Sequence, residues 1–226
     1  MISSISASGE ELFSLSPLIQ KLYRSRGVTD AEDVVMNLDK LISPADLPDI
    51  DAAVDRLALA LRQREKIVVV GDYDVDGATS VAICLSCLRE MGAEDVEFLV
   101  PDRFIHGYGL SIEVARICLS RNVDVIITVD NGTASIDGVG LARDAGVDVI
   151  VTDHHLPGEE LPPALAIVNP NREDSPFSSK NLAGCGVAFY LMTWLRKKLR
   201  EDGWFDQKKY GDGYPSQRVT CELIGE

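Results

Sequence analysis

The sequence predicts an α/β fold, namely a mostly parallel five-stranded doubly wound sheet with helices on both faces, preceded by a small helical region. Two observations support this prediction. From residue 66 onward, short runs of β-branched residues alternate with helical stretches, a pattern typical of parallel sheets covered by helices. Acidic, amide or imidazole residues directly follow most of the runs, as expected where parallel strands end beside a ligand crevice.

The predicted elements follow from apolar spacing and from breaks at Gly, Pro and Asp. Helices are predicted at residues 17–26, at Thr29 with acids in its first turn, at 51–64, after Gly77, at 112–119, at 139–145 and from 183 to about 200. Strands are predicted at residues 67–70, 96–100, 123–129, 147–152 and 166–168. We therefore divide the chain into a helical region (1–65), an α/β domain (66–200) and a tail (201–226).

Composition limits the class of protein. The apolar share of 46% and the charged share of 26% are ordinary for a soluble globular protein. The formal net charge of -14 argues against binding nucleic acid through the overall field, although bound cations would cancel part of it. An odd number of cysteines, five, favours a reducing compartment, and no signal segment or membrane-length apolar run is seen. We expect a cytoplasmic protein without membrane association.

Three acidic residues alternate directly after the first predicted strand, at Asp72, Asp74 and Asp76. In an extended chain, alternate residues point to the same side. Carboxylates on one side repel each other unless a cation lies between them. We interpret this stretch as half of a metal site.

Two later strands are followed by the same chemistry. Asp130 comes after the third strand, and Asp153, His154 and His155 come after the fourth. These residues should converge, because the carboxyl ends of parallel strands share one edge. Asp and His together suit manganese, zinc or iron better than magnesium. Two such ions would act as a clamp for in-line displacement at phosphorus.

Each motif also has a purely structural interpretation. A single Asp at a strand end often caps the next helix, Asn131-Gly132 is typical of a simple turn, and adjacent histidines can form a solvated surface pair. Three strand ends carry the same chemistry, and two of the three histidines lie at one of them. This coincidence favours a metal site over the structural interpretations.

In their order along the chain, residues 72–77, 129–132 and 153–155 resemble the first three motifs of the DHH phosphoesterase superfamily. Further blocks resemble its RecJ family of single-strand-specific DNA exonucleases, which act from the five-prime end in DNA repair and recombination. These blocks are residues 100–103, 107–111, 151–157, 169–171 and 183–188. The resemblance extends from about residue 15 to residue 205.

The resemblance implies a site for two Mn²⁺ or Mg²⁺ ions. Its ligands would be Asp74, Asp76, Asp130 and His154, with Asp130 as the bridge. Related superfamily members have a His at the position of Val70. The first ion is therefore expected to have one protein ligand fewer, or to take Asp72 or a water molecule instead.

The resemblance also implies roles around the metal ions. His155 would face the scissile phosphate, Asp153 would orient the histidine pair from behind, and Asp72 would support them. The candidates for contacting the DNA are Arg103, Tyr108, Gly109 and Asn131. A surface ion pair is an equally good interpretation of Arg103. The implied partners are single-stranded DNA, a single-strand-binding protein and a helicase, and the implied state is a monomer.

The C-terminal part departs from the family pattern. In the family, a fourth acidic motif, a second catalytic-side domain and an OB-fold follow the helix seen here at residues 186–200, and no strand-then-Asp pattern occurs after Phe205. A cut or natural fragment would explain this departure. So would a tail that is foreign to the family, such as one produced by a shifted reading frame. We expect weak metal binding and little or no processive exonuclease activity from the chain as given.

Two alternative functions remain open. Residues 70–75 also fit the strand and Asp-x-Asp of a haloacid-dehalogenase-like phosphatase, in which Asp72 would be the nucleophile and the histidines would have no role. The second alternative is a non-catalytic fragment that binds a metal or a partner without turnover.

Overall fold

A computed structural model describes residues 15–28, 34 and 40–206. The chain divides into two compact units, residues 1–43 and residues 44–226. In the first unit, helix α1 spans Pro17–Ser25, close to its predicted bounds. The predicted helix start at Thr29 and the tail from residue 207 onward lie outside the described residues.

The second unit alternates helices and strands as predicted. Its helices are α2 (Ile50–Gln63), α3 (Val75–Glu90), α4 (Ile112–Ser120), α5 (Ile136–Asp144) and α6 (Gly184–Glu201). Its strands are β1 (Ile67–Val70), β2 (Val96–Leu99), β3 (Val125–Val129), β4 (Asp148–Thr152) and β5 (Ala166–Val168). Strands β1 and β5 have their predicted bounds, and the other elements differ by at most three residues at either end.

The five strands form one sheet in the order β2-β1-β3-β4-β5, and every pair is parallel. The predicted α/β fold is confirmed. From β1 the chain passes to β2 on one side and then returns to β3 on the other side of β1. The strand order therefore reverses between β1 and β3, and ligands of open α/β sheets bind outside the carboxyl ends of strands at such a point.

Helices cover both faces of the sheet. Val68 and Val70 of β1 belong to a buried cluster with residues of α4 and α5. Alternate residues of a strand point to opposite faces of the sheet. Helices α3 and α6 also pack on the sheet, and they pack against each other. Strands β1 and β3 are buried at every position, which explains why they are continuous apolar runs rather than alternating ones.

Helix α2, which the sequence analysis grouped with the N-terminal region, packs against α6 and β5 within the second unit. The predicted domain limits at residues 65 and 200 stay a prediction. Across residues 15–28 and 40–206, we find no helix with the length and apolar character needed to cross a membrane.

Candidate metal centre

The segment after β1 turns into helix α3 instead of remaining extended. Asp74 is the N-cap residue of α3, and its Oδ1 accepts the amide N–H three residues on at 2.9 Å. Asp76 lies in the first turn of the helix, whereas Asp72 is buried just before it. The expectation that the three carboxylates project from one side of an extended chain is therefore wrong, because the helix begins one residue after Asp74.

Asp130 lies directly after β3 with a left-handed backbone (φ 60°) and a buried side chain. Its Oδ1 has no hydrogen-bond partner among the described residues. Burial, together with the carboxylates of Asp76 and Asp74, raises the pKa of Asp130 to about 7. A buried polar atom without a partner destabilises the fold, and a divalent cation would satisfy this one. The chemistry of the site thus fits a metal ion.

Candidate ligand atoms meet at Asp130 in two groups, and within each group they lie within 4.8 Å of one another. One group contains Asp72, Asp74 and Asp130, and the other contains Asp130, His154 and His155. Nε2 of His154 lies 3.1 Å from Oδ1 of Asp130. Because Asp130 belongs to both groups, it has the position that a bridging ligand needs.

Asp153 holds both histidines from behind. Its Oδ1 accepts the backbone N–H groups of His154 and His155 at 2.7 and 3.1 Å, and it lies 2.7 Å from Nδ1 of His155. Its Oδ2 accepts the N–H of Thr133 at 2.9 Å. The hydrogen bond to Asp153 raises the pKa of His155 to about 9. These contacts fix the ring of His155 with its Nδ1 towards Asp153, and they leave its Nε2 free for another partner.

We predict that Asp153→Asn lowers the pKa of His155 from about 9 towards the ordinary 6.5, because the amide cannot stabilise the imidazolium charge. Loss of such a supporting contact typically reduces metal affinity or activity by about 10- to 100-fold. NMR titration of the metal-free protein measures the pKa. Asp55→Asn, at a remote ion pair, is the control. An unchanged His155 pKa in Asp153→Asn would show that Asp153 does not hold the ring.

Asp76 is bound to the start of helix α6. Its Oδ1 accepts the N–H of Cys185 at 2.7 Å, and its Oδ2 accepts the N–H of Gly184 at 2.8 Å. Burial alone would raise the pKa of Asp76, but the hydrogen bonds from Cys185 and Gly184 outweigh it, so the pKa is lowered. Oδ2 also lies 3.7 Å from Nε2 of His154. The role of Asp76 as a metal ligand stays a prediction.

The sequence analysis gave Gly184 and Cys185 no role. The feature of the sequence that could have indicated their role is a glycine at the start of a helix. The free N–H groups of a first helical turn bind carboxylates. A Cβ atom at Gly184 would overlap Oδ1 of Asp130. The start of α6 therefore supports Asp76 and lies directly against Oδ1 of Asp130, the oxygen that has no hydrogen-bond partner among the described residues.

Comparisons with known proteins show which family the chain belongs to. The family model described as "DHH family, N-terminal domain" matches residues 66–219, about two thirds of the chain. The chain belongs to the DHH family. The match passes residue 205, where the sequence analysis placed the end of the resemblance.

Several of the curated relatives and solved structures that match the chain are RecJ proteins. The single-stranded-DNA-specific exonuclease RecJ of Haemophilus influenzae is 50% identical over 189 residues, which are 84% of this chain and 33% of that protein. RecJ of Escherichia coli is 49% identical over 194 residues, 86% and 34% of the two chains. This chain thus spans about a third of the length of these relatives.

Two crystal structures of RecJ match the fold. Exonuclease RecJ bound to manganese matches with a TM-score of 0.65 and 34% identity, over 81% of this chain and 43% of that chain. The Mn²⁺ complex of RecJ from Thermus thermophilus matches with a TM-score of 0.67 and 30% identity, over 96% and 28%. The alternative of a haloacid-dehalogenase-like phosphatase is wrong, because the chain is a DHH protein whose His154 lies beside Asp130.

Two of the predicted DNA contacts lie at the surface of the DHH site. The guanidinium of Arg103 lies over the ring of Tyr73, with 5.1 Å from Cζ to the ring centroid. The hydroxyl of Tyr108 donates to the backbone oxygen of Asp130 at 3.3 Å. The ring of Tyr108 packs edge-on against Tyr73 and His155. Arg103 and Tyr108 are therefore beside the metal centre, and their contact with DNA stays a prediction.

The other two candidates lie deeper in the DHH fold. Asn131 is fully buried, and its Nδ2 donates to the backbone oxygens of Val70 at 3.1 Å and Val129 at 2.8 Å. Gly109 is also buried, with a left-handed backbone (φ 63°). The amide of Asn131 thus links β1 to β3 where the strand order reverses. This buried position favours a supporting role over the predicted contact with substrate.

We predict that Asn131→Ala lowers the free energy of unfolding by about 1–3 kcal/mol, the usual cost of buried polar groups that lose their partner. The reason is that the carbonyl groups of Val70 and Val129 lose their side-chain donor. Urea unfolding measures the effect, and Gln63→Ala at an exposed position is the control. Equal stability of the two variants would contradict the linking role.

Proposed function

We propose that this chain carries the catalytic centre of a metal-dependent phosphodiesterase that hydrolyses single-stranded DNA from the five-prime end. The observation that carries the proposal is the pair of ligand groups sharing Asp130, whose buried Oδ1 has no other partner among the described residues. The curated relatives at about 50% identity bear the name of single-stranded-DNA-specific exonuclease. Related RecJ structures contain Mn²⁺ or Mg²⁺, and this supports the same ions here.

The site would hold two ions, one for each ligand group. Asp72, Asp74 and Asp130 would hold the first, and Asp130 with His154 would hold the second. When bound, divalent cations polarise the phosphoryl group and make water a stronger nucleophile. The side chain of Asp76 accepts two N–H groups of α6, and its remaining lone pairs leave the predicted ligand role open.

The protein's own residues complete the chemistry. His155 is half exposed, and its Nδ1 is held by Asp153. Without metal ions, the hydrogen bond to Asp153 raises the pKa of His155 to about 9. Its Nε2, which Asp153 leaves free, can donate to a phosphate bound beside Asp130, where negative charge would develop. Because Asp153 already fixes the ring, little reorganisation is needed when the substrate binds.

For the whole protein we propose a cytoplasmic role in DNA repair and recombination, as a monomer, with a single-strand-binding protein and a helicase as partners. The described cysteines, Cys84, Cys87, Cys118 and Cys185, are free thiols. Free thiols are typical of a reducing compartment, which supports the location.

The test is digestion of a single-stranded oligonucleotide labelled at its three-prime end, with Mn²⁺ and with the protein in excess. The excess of protein makes a low rate of cleavage measurable, which matters because the chain spans only about a third of the length of its relatives. We expect a ladder of shortened labelled products, no products in EDTA, and much slower digestion of the matching duplex. Digestion from the other end would release the label at once.

Asp130→Asn is the matched variant in this assay, and we expect it to give no products. Digestion that survives Asp130→Asn or EDTA would overturn the proposal. Manganese binding without any digestion would favour the non-catalytic alternative instead.

A further inference from the structure

A group of large apolar side chains is exposed around the metal centre. It consists of Tyr73, Val75, Phe104, Ile105, Tyr108 and Leu156. Phe104 stands out because 97% of its surface is exposed. Single exposed apolar residues are normal, but an exposed group beside a polar cleft is typical of a binding surface.

A closed turn at residues 102–106 displays Phe104. Oδ1 of Asp102 accepts the N–H of Phe104 at 2.8 Å, and its backbone oxygen accepts the N–H groups of Ile105 at 3.1 Å and His106 at 2.8 Å. The N–H of Asp102 donates back to Nδ1 of His106 at 3.0 Å. Because these bonds close the turn on itself, the exposed position of Phe104 is built into the local structure.

The 102–106 turn is connected to the catalytic residues through a line of aromatic rings. Arg103 lies over Tyr73. The ring centroids of Tyr73 and Tyr108 are 6.4 Å apart, and those of Tyr108 and His155 are 6.2 Å apart, both edge-on. The line of rings therefore leads from His155 to Arg103, the neighbour of Phe104 in the 102–106 turn.

The occupant of this surface follows from charge and chemistry. The chain has a formal net charge of -14, so its overall field does not attract a polyanion. Stacking of bases on aromatic side chains does not depend on net charge and is tolerant of sequence. Only unpaired bases present their faces for such stacking, so the same contact distinguishes single strands from duplexes.

We propose that Phe104, displayed by the 102–106 turn, stacks an unpaired base of the substrate strand and thereby selects single-stranded over duplex DNA. The inference rests on the proposed function for its substrate, but it concerns binding and not cleavage. A second copy of this chain or another protein segment on Phe104 would be the competing occupants, and the experiment separates them.

The experiment measures binding by fluorescence anisotropy, with Ca²⁺ in place of Mn²⁺ to slow hydrolysis. One probe is a single-stranded oligothymidylate, and the other is an abasic strand of the same length and charge. We expect Phe104→Ala to weaken binding of the first probe about tenfold, the size expected for one lost stacked base. Binding of the abasic strand should not change. The tenfold loss should be the same at low and high salt, because stacking releases no counterions.

Two further variants control the comparison. Phe104→Tyr keeps an aromatic face and should retain the affinity of the unmodified chain. Leu59→Ala removes another exposed apolar side chain, 41% exposed and on α2, and should leave both affinities unchanged.

Equal affinity of Phe104→Ala and the unmodified chain for oligothymidylate would overturn the proposal. So would an equal loss on the abasic strand, or no measurable binding of either probe. A lower sedimentation coefficient for Phe104→Ala would assign the residue to a contact between copies and would also overturn it. Failure of the cleavage assay leaves the difference between the two probes intact, so the two proposals fail separately.

Discussion

Asp130→Asn is expected to stabilise the metal-free protein and to abolish its response to Mn²⁺. The carboxylate is buried with an oxygen that has no hydrogen-bond partner among the described residues, and burial and neighbouring carboxylates raise its pKa to about 7. An amide of the same size removes the charge and the repulsion from Asp76 and Asp74. We expect the free energy of unfolding in EDTA to rise by about 1–3 kcal/mol, the usual cost of such a buried group.

Manganese should reverse the order of stability. A metal that binds only the folded state stabilises it by mass action, so Mn²⁺ should raise the unfolding midpoint of the unmodified chain and leave Asp130→Asn unchanged. Cleavage should fall by at least about 10³-fold, because metal stabilisation of the transition state contributes several kcal/mol. Asp144→Asn, an exposed acid at the end of α5, is the control. An Asp130→Asn variant that gains as much from Mn²⁺ as the unmodified chain would contradict the central position of Asp130.

The convergence of the site could be predicted from the sequence because it depends on topology. Parallel strands that are buried on both faces can be seen in the sequence as short apolar runs. Asp130 and His154 follow the ends of two such runs. Once the strands are known to be parallel, their carboxyl ends must lie at one edge. Nε2 of His154 and Oδ1 of Asp130 meet at that edge, 3.1 Å apart.

The details that failed depend on local or distant contacts. Asp74 caps α3, and a capping Asp was available as a structural interpretation of the motif, but the spacing of the three acids favoured an extended chain. The contact between Asp76 and Gly184 joins residues 108 positions apart. No periodicity in either segment carries that information, so only the packing of α6 against α3 shows it.

Gly184→Ala is expected to disable the metal centre by crowding it. A Cβ atom at this position would overlap Oδ1 of Asp130, so α6 or Asp130 must move, and the N–H groups that hold Asp76 belong to the same turn. We expect Mn²⁺ affinity to fall by about 10- to 100-fold, as for other supporting residues of metal sites. Overpacking should also lower the free energy of unfolding by about 1–3 kcal/mol. Calorimetric titration with Mn²⁺ and urea unfolding measure the two effects.

Gly140→Ala is the matched control, because it lies in helix α5 and the nearest atom to its Cβ would be Cγ of Pro163 at 3.9 Å. This change should stabilise the helix by about 0.5–1 kcal/mol and leave Mn²⁺ binding unchanged. A double-mutant cycle isolates the crowding by the carboxylate, because Asp130→Ala removes Oδ1 and Cγ but keeps Cβ, which would lie 2.8 Å from the new Cβ. In that background Gly184→Ala should cost less stability than in the unmodified chain. If Gly184→Ala costs the same with and without the Asp130 carboxylate, the glycine is required by the helix itself and not by the metal centre.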